Sequence, residues 1–147
     1  ASTMAASAAA PILRSHGFSN HEVAAAQHAI ATHSFSAGLK PKSLEARILR
    51  DADRLDALGA IGIARTFAVG GALGRALYDE NDPFAEHRAL DDSAWALDHW
   101  PVKLFRLPED LQTVAGKLTA EERVAEMRAF AQVLASELGR TLPESWA

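Results

Sequence analysis

The stretch Arg50-Asp51-Ala52-Asp53-Arg54-Leu55-Asp56-Ala57-Leu58-Gly59 constrains this chain more than any other. It sets three carboxylates inside a segment that otherwise reads as a buried helix. A carboxylate taken out of water is costly unless a cation or a metal compensates it. On a helix, Asp53 and Asp56 stand three apart on one face, and Asp51 points elsewhere. The spacing supports two readings. In the ionic one, Arg47 lies four residues before Asp51 and Arg50 three before Asp53. In the functional one, Asp53 is a metal or proton-transfer carboxylate facing a bundle interior, a common place for metal sites in helical proteins.

Length and composition narrow the setting. At 147 residues, 48% of them apolar, the chain is long and apolar enough for one domain with a real core, which excludes disorder and fibres. The longest apolar run, Ala57 to Ala64, is broken by glycines and is too short to cross a bilayer. Ala1 to Ile12 lacks the basic start of a secretory signal. There is no cysteine, which removes disulfides, thiolate zinc sites and cysteine nucleophiles and suits a cytoplasmic location. A net charge of −4 without a Lys or Arg run argues against double-stranded nucleic acid, and nothing points to a membrane. Met4 falls inside an expected helix and residue 1 is alanine, so we expect the chain to be part of a longer protein.

The element pattern is all-α. A helix from Met4 to Ser15 stops at Gly17, and Asn20 is placed as the N-cap of a second helix through Thr32. A loop over Ser34 to Gly38 and the Lys40-Pro41-Lys42 segment lead to a third helix. Ser43 caps it, Glu45 suits its positive end, and it is expected to run to Phe67 or Ala68. Val69 to Pro83, rich in turn formers, reads as a long loop. A helix over Ser93 to Phe105, bent at Pro101, precedes a short turn or helix opened by Pro108. Thr119 and Glu122 spell a capping box for a last helix that ends at Leu138 before Gly139. No alternating strand pattern, repeat or linker stands out, so the expectation is one all-α unit.

Several other residues have functional potential. His33 ends a helix at a loop junction, where imidazole can bind a metal or, protonated, a phosphate; the helix dipole alone also favours histidine there. His16, His21 and His28 read as ordinary surface or helix-end residues. His99 and Lys103 lie four apart on one helical face, a cationic pair suited to an oxyanion and equally ordinary on a surface. Gly70-Gly71-Ala72-Leu73-Gly74-Arg75 has neither P-loop nor dinucleotide spacing, and reads as a mobile loop bringing Arg75 over a substrate. Trp95, Trp100 and Trp146 are either anchors for association or plain core.

Together, His33-Ser34-Phe35-Ser36, the run from Asp51 to Arg65, Gly70-Gly71 with Gly74-Arg75, and Tyr78-Asp79 resemble the HD-domain metal-dependent phosphohydrolases. The pattern is most like the small bacterial stand-alone branch, some of whose members are nucleotide pyrophosphohydrolases. His99 and Lys103, with Leu104 and Leu107, resemble a later helix of that branch, and the likeness covers Ala8 to Leu138. It implies an HD-domain-like all-α bundle, N-terminally incomplete here, holding a divalent metal, Mn²⁺ or Mg²⁺. Asp53 matches the family's distant metal-binding aspartate. His33 and Asp56 join it as catalytic candidates, and Lys103, His99 and Arg75 as substrate-binding ones. The implied partner is a phosphorylated small molecule or nucleotide, hydrolysed at an ester or anhydride, with a homodimer as a further expectation. The sequence departs from the family in having no His-Asp dipeptide. The alternatives are therefore a degenerate domain that binds a nucleotide or phosphate without catalysis, and a structural module.

Overall fold

The computed structural model describes residues 2–34 and 38–146. Phe35 and Ser36, from the motif that begins at His33, lie outside the described residues. The chain is all-α, an HD-domain-like helical bundle, with no strand among the described residues. Its helices are α1 Ser2–Ser15, α2 Asn20–Thr32, α3 Leu44–Leu55, α4 Gly59–Ala72, α5 His99–Val102, α6 Leu107–Asp110 and α7 Val114–Glu137. None of these is long and apolar enough to cross a membrane by itself. The helices fall into two compact units: the described residues of Ala1–Arg54 with Leu111–Gly116, and those of Leu55–Asp110 with Lys117–Ala147.

In the first unit α1 and α2 pack through small side chains. Ala6, Ala10, Val23 and Ala29 are buried, and the Gln27 amide donates to the Ala6 carbonyl at 3.1 Å. α1 stops just before Gly17, as its sequence indicated. The N-cap of α2 is Ser19, not Asn20. The Ser19 hydroxyl accepts from Glu22 N, and the Glu22 carboxylate accepts from Ser19 N at 2.8 Å. That reciprocal pair needs an acid three residues on, which Ser19 has and Asn20 lacks. Ser43 does cap α3, its hydroxyl accepting from Ala46 N at 3.2 Å.

The third helix does not continue to Phe67. It ends at Leu55, the chain turns through Asp56–Leu58, and α4 begins at Gly59. The Leu55 carbonyl explains the break. A continuing helix would give it the amide of Gly59, but here it accepts from Leu58 N and from the Arg123 guanidinium at 2.5 Å. Asp56 is therefore off the helix and does not share a face with Asp53.

In the second unit, α4 runs past its expected end and takes up Gly70 and Gly71, so the connection to α5 begins at Leu73 and not at Val69. A Cβ on Gly70 would come within 2.6 Å of the Ala96 Cβ, so this glycine serves close packing inside a helix and not loop mobility. The helix expected over Ser93 to Phe105 is cut to α5 and a 3₁₀ turn at Leu104–Arg106, while α6 is the short helix expected at Pro108. α7 starts at Val114 instead of Thr119, which becomes an interior residue. The Thr113 hydroxyl caps this end by accepting from Gly116 N at 2.9 Å. The helix ends shortly before Gly139 as expected. Trp100 and Trp146 are core residues, not exposed anchors. Their indole N–H groups donate to Thr66 Oγ1 and the Phe84 carbonyl, and Leu58, Leu97 and Met127 are buried in the same unit.

Candidate functional site

The acidic stretch resolves into three different carboxylates. Asp51 is buried, and its partners are not Arg47 but donors just before and at the start of α7. Gln112 N donates to Oδ1, while Thr113 N and Thr113 Oγ1 donate to Oδ2, at 2.7–2.8 Å. A helix N-terminus presents unpaired N–H groups and a partial positive charge, so the carboxylate is compensated without a cation. The contact is tight enough that a Cβ on Gly116 would fall 2.5 Å from Asp51 Oδ2.

Asp53 is 52% exposed, and its Oδ2 accepts from Arg54 Nη1 at 3.0 Å. The same Nη1 of the buried Arg54 donates to the His33 backbone carbonyl at 3.0 Å. Arg54 thus ties the end of α2 to Asp53, bringing two sequence candidates into one neighbourhood. The His33 Nδ1 lies 2.6 Å from the Ile30 carbonyl. A carbonyl can only accept, so a hydrogen sits on Nδ1, and Nε2 is the ring nitrogen not engaged by that contact. Asp56 belongs to the second unit, where it pairs with Arg65.

The remaining three candidates meet in that second unit. Arg75, His99 and Lys103 line one cavity of about 300 Å³, together with Arg65 and Thr66 from α4. Val69, Leu73, Ala96 and Leu104 give it an apolar wall. Local structure sets each position. Arg65, Val69 and Leu73 are spaced four apart along α4 and its end. Arg75 is held by pairing of the next residue, with Ala76 N donating to the Ala94 carbonyl and accepting Ala96 N at its own. His99 and Lys103 stay on one side of α5, with Lys103 N donating to the His99 carbonyl at 3.0 Å. Cationic groups around a partly apolar hollow can hold the oxygens of a phosphate and cover the group attached to it.

His99 has a fixed ring. Its Nδ1 lies 2.7 Å from Asp92 Oδ2. The loop carrying Asp92 is pinned by a fully buried carboxylate, Asp98, which takes Arg88 in two hydrogen bonds of 2.5 and 2.8 Å and accepts Asp91 N at 2.8 Å. The hydrogen bond to Asp98, opposed in part by burial, raises the Arg88 pKa above the usual guanidinium value. The Arg88 guanidinium also lies 4.0 Å from the Trp95 ring centre. Sequence reasoning missed Asp92, Arg88 and the role of Asp98, because Asp92 and Arg88 precede the helix expected from Ser93 and reach His99 and Asp98 only where the chain folds back through turns. Arg65 was legible as an α4 residue one turn before Val69, but was not singled out.

The described residues include no group of three or more His, Asp or Glu side chains that could hold a metal ion. Asp53 alone, with one oxygen on Arg54, does not make a metal site, since divalent ions need several ligands.

No protein-family model matches the chain. YpgQ of Bacillus subtilis is 38% identical over 99 residues, which is 67% of this chain and 42% of YpgQ. The crystal structure of YpgQ in complex with ADP superposes with a TM-score of 0.72 at 32% identity, over 97% of this chain and 64% of that one. The Lin1889 protein of Listeria innocua gives 0.71 at 31%, over 95% and 68%. An HD-superfamily hydrolase from Bacillus thuringiensis gives a TM-score of 0.73 at 34% identity, over 92% of this chain and 63% of the hydrolase. The chain belongs to the HD superfamily. This HD-superfamily chain spans less than half of YpgQ in the sequence match and under two thirds of the YpgQ and B. thuringiensis structures.

Proposed function

We propose that this HD-superfamily chain provides the phosphate-binding cavity of a metal-dependent phosphohydrolase acting on a phosphate ester or anhydride, with a nucleotide as the substrate class. One observation carries the reading: Arg65, Arg75, His99 and Lys103 line a single hollow with an apolar wall. The ADP bound by YpgQ supports a nucleotide here. Lys103, Arg75 and Arg65 would neutralise phosphate charge, with His99 as a further donor, and Val69, Leu73 and Leu104 would cover the rest of the ligand. Asp56, through its pairing with Arg65, is a supporting group at this cavity, and His33 stays a catalytic candidate through the family resemblance alone. Asp53 would give one ligand to Mn²⁺ or Mg²⁺. The described residues do not complete such a site, so we assign no chemical step to the metal. That same observation favours a second reading, in which the chain binds the nucleotide without hydrolysing it. The absence of cysteine supports a cytoplasmic setting for either.

The test is calorimetric titration of ADP into the chain, followed by phosphate release from nucleoside di- and triphosphates with Mn²⁺ or Mg²⁺. Binding with metal-dependent release supports the hydrolase. Binding without release in any metal supports the second reading. Failure to bind ADP at millimolar concentration would remove both. Where release is seen, Asp53→Ala should abolish it and leave the unfolding transition in place; undiminished release would end the assignment of Asp53.

A further inference from the structure

We propose that phosphate binding in the cavity of the second unit takes up one proton, held at Nε2 of His99, and that Asp92 is the positioning residue that makes this possible. The inference rests on the nucleotide-binding reading above and adds how the ligand's charge is matched. Asp92 Oδ2 lies 2.7 Å from His99 Nδ1, and a carboxylate can only accept, so the first ring hydrogen is on Nδ1. The ring lines the cavity, which leaves Nε2 as the atom able to meet a ligand. A neutral ring would then turn a lone pair toward phosphate oxygens, which also carry lone pairs, and the two would repel. A proton taken from solvent onto Nε2 removes the conflict. The ring becomes a cation donating on both sides, to Asp92 through Nδ1 and to a phosphate oxygen through Nε2.

The surrounding charges set when this happens. Arg75 and Lys103 line the same cavity, as does Arg65, whose guanidinium is paired with Asp56, so an arriving phosphate meets several cationic groups beside the ring. On the other side, Asp92 Oδ2 accepts from Nδ1 and holds the ring in place. The neighbouring Asp98 is buried and committed to Arg88, which fixes the loop that aims Asp92 at His99. Both His99 and Asp92 keep partial solvent access, at 27% and 37% exposure, so a proton can reach the ring from water.

The experiment is titration of ADP, without metal, into the chain near pH 7.5 in several buffers of different ionisation enthalpy. The dependence of the measured heat on the buffer gives the number of protons taken up. We expect about one proton per ADP for the parent chain. We expect about none for His99→Gln, and a clearly reduced uptake for Asp92→Asn with weaker affinity. A structural role for Asp92 alone would lower affinity or stability without changing the proton count. ADP binding with no buffer dependence, or with full uptake retained in Asp92→Asn, would overturn the inference and leave the binding reading standing. No ADP binding by the folded parent would overturn the binding reading and the inference with it.

Discussion

Asp51 in the first unit and Asp98 in the second are both out of water, yet they are compensated in different ways. Asp51 takes two backbone N–H groups and a hydroxyl at the start of α7. Asp98 takes a guanidinium in two hydrogen bonds, plus one backbone N–H. The first arrangement spreads the compensating charge over a helix end and uses no cation. The second commits Arg88 fully to a structural task, so the cations that line the cavity are a separate set, Arg65 from α4, Arg75 from the connection after it and Lys103 from just beyond α5. A buried carboxylate is therefore no mark of a catalytic site here. The candidate site lies where cations gather around open space.

The difference can be tested by removing one partner at a time. Arg88→Ala should have the largest effect, because it leaves Asp98 buried with no counter-charge. We expect a loss of about 4 kcal/mol in urea unfolding. A loss below about 1 kcal/mol would mean that Asp98 is neutralised by other means. Asp51→Ala should cost less, about 2 kcal/mol, since it frees only N–H groups and a hydroxyl. Gly116→Ala probes the same contact from the other side and should destabilise as well, because its Cβ would meet the Asp51 carboxylate. If Asp51→Ala proved the more damaging of the two deletions, the helix-end arrangement would be the stronger one.

Third in size, Lys103→Ala and Arg75→Ala should each weaken ADP binding about tenfold while leaving unfolding unchanged. Raising the salt should shrink that effect, as it screens open cations, and should leave the Asp51 effect nearly intact. An equal salt response for both would show that the cavity is not the more accessible region.

The smallest effect concerns the cap of α2. The hydrogen bond from the Ser19 side chain, then that from the Ser19 backbone, holds the Glu22 carboxyl below its usual value. A group with a depressed folded value stabilises the fold above its unfolded pKa, and the contribution fades as pH falls through the folded one. Glu22→Ala should therefore show faster amide exchange in α2 than the parent at neutral pH, with the difference fading as the pH is lowered through the depressed Glu22 value. A difference that persists in acid would mean that the side chain acts through packing instead of charge.

Much of the helix pattern was legible because it rests on local chemistry. Gly17 and Gly139 mark helix ends, Ser43 caps α3, and the motif from Asp51 to Arg65 was enough to identify the superfamily. Local signals failed where distant residues compete for the same groups. The T-x-x-E motif at Thr119 lost to a cap at Thr113, in a segment where Asp51 also binds. The helix through Leu55 broke because Arg123 takes a carbonyl that a continuing helix would use. Gly70 reads as a loop residue until Ala96 is placed against it.

The candidate site divides in the same way. Residue type and spacing singled out His33, Asp53, Arg75, His99 and Lys103 as candidates, and the family resemblance added Asp56. Only the tertiary structure decided that Arg75, His99 and Lys103 share a cavity with Arg65, that Asp56 leaves the helix of Asp53, and that Asp92 faces His99. The physical reason is range. Helical periodicity and capping act over three or four residues, so the sequence determines which elements form and what chemistry each can offer. A cavity, a buried charge pair or a carboxylate–imidazole contact joins groups from different segments, and their meeting is set by how those segments pack.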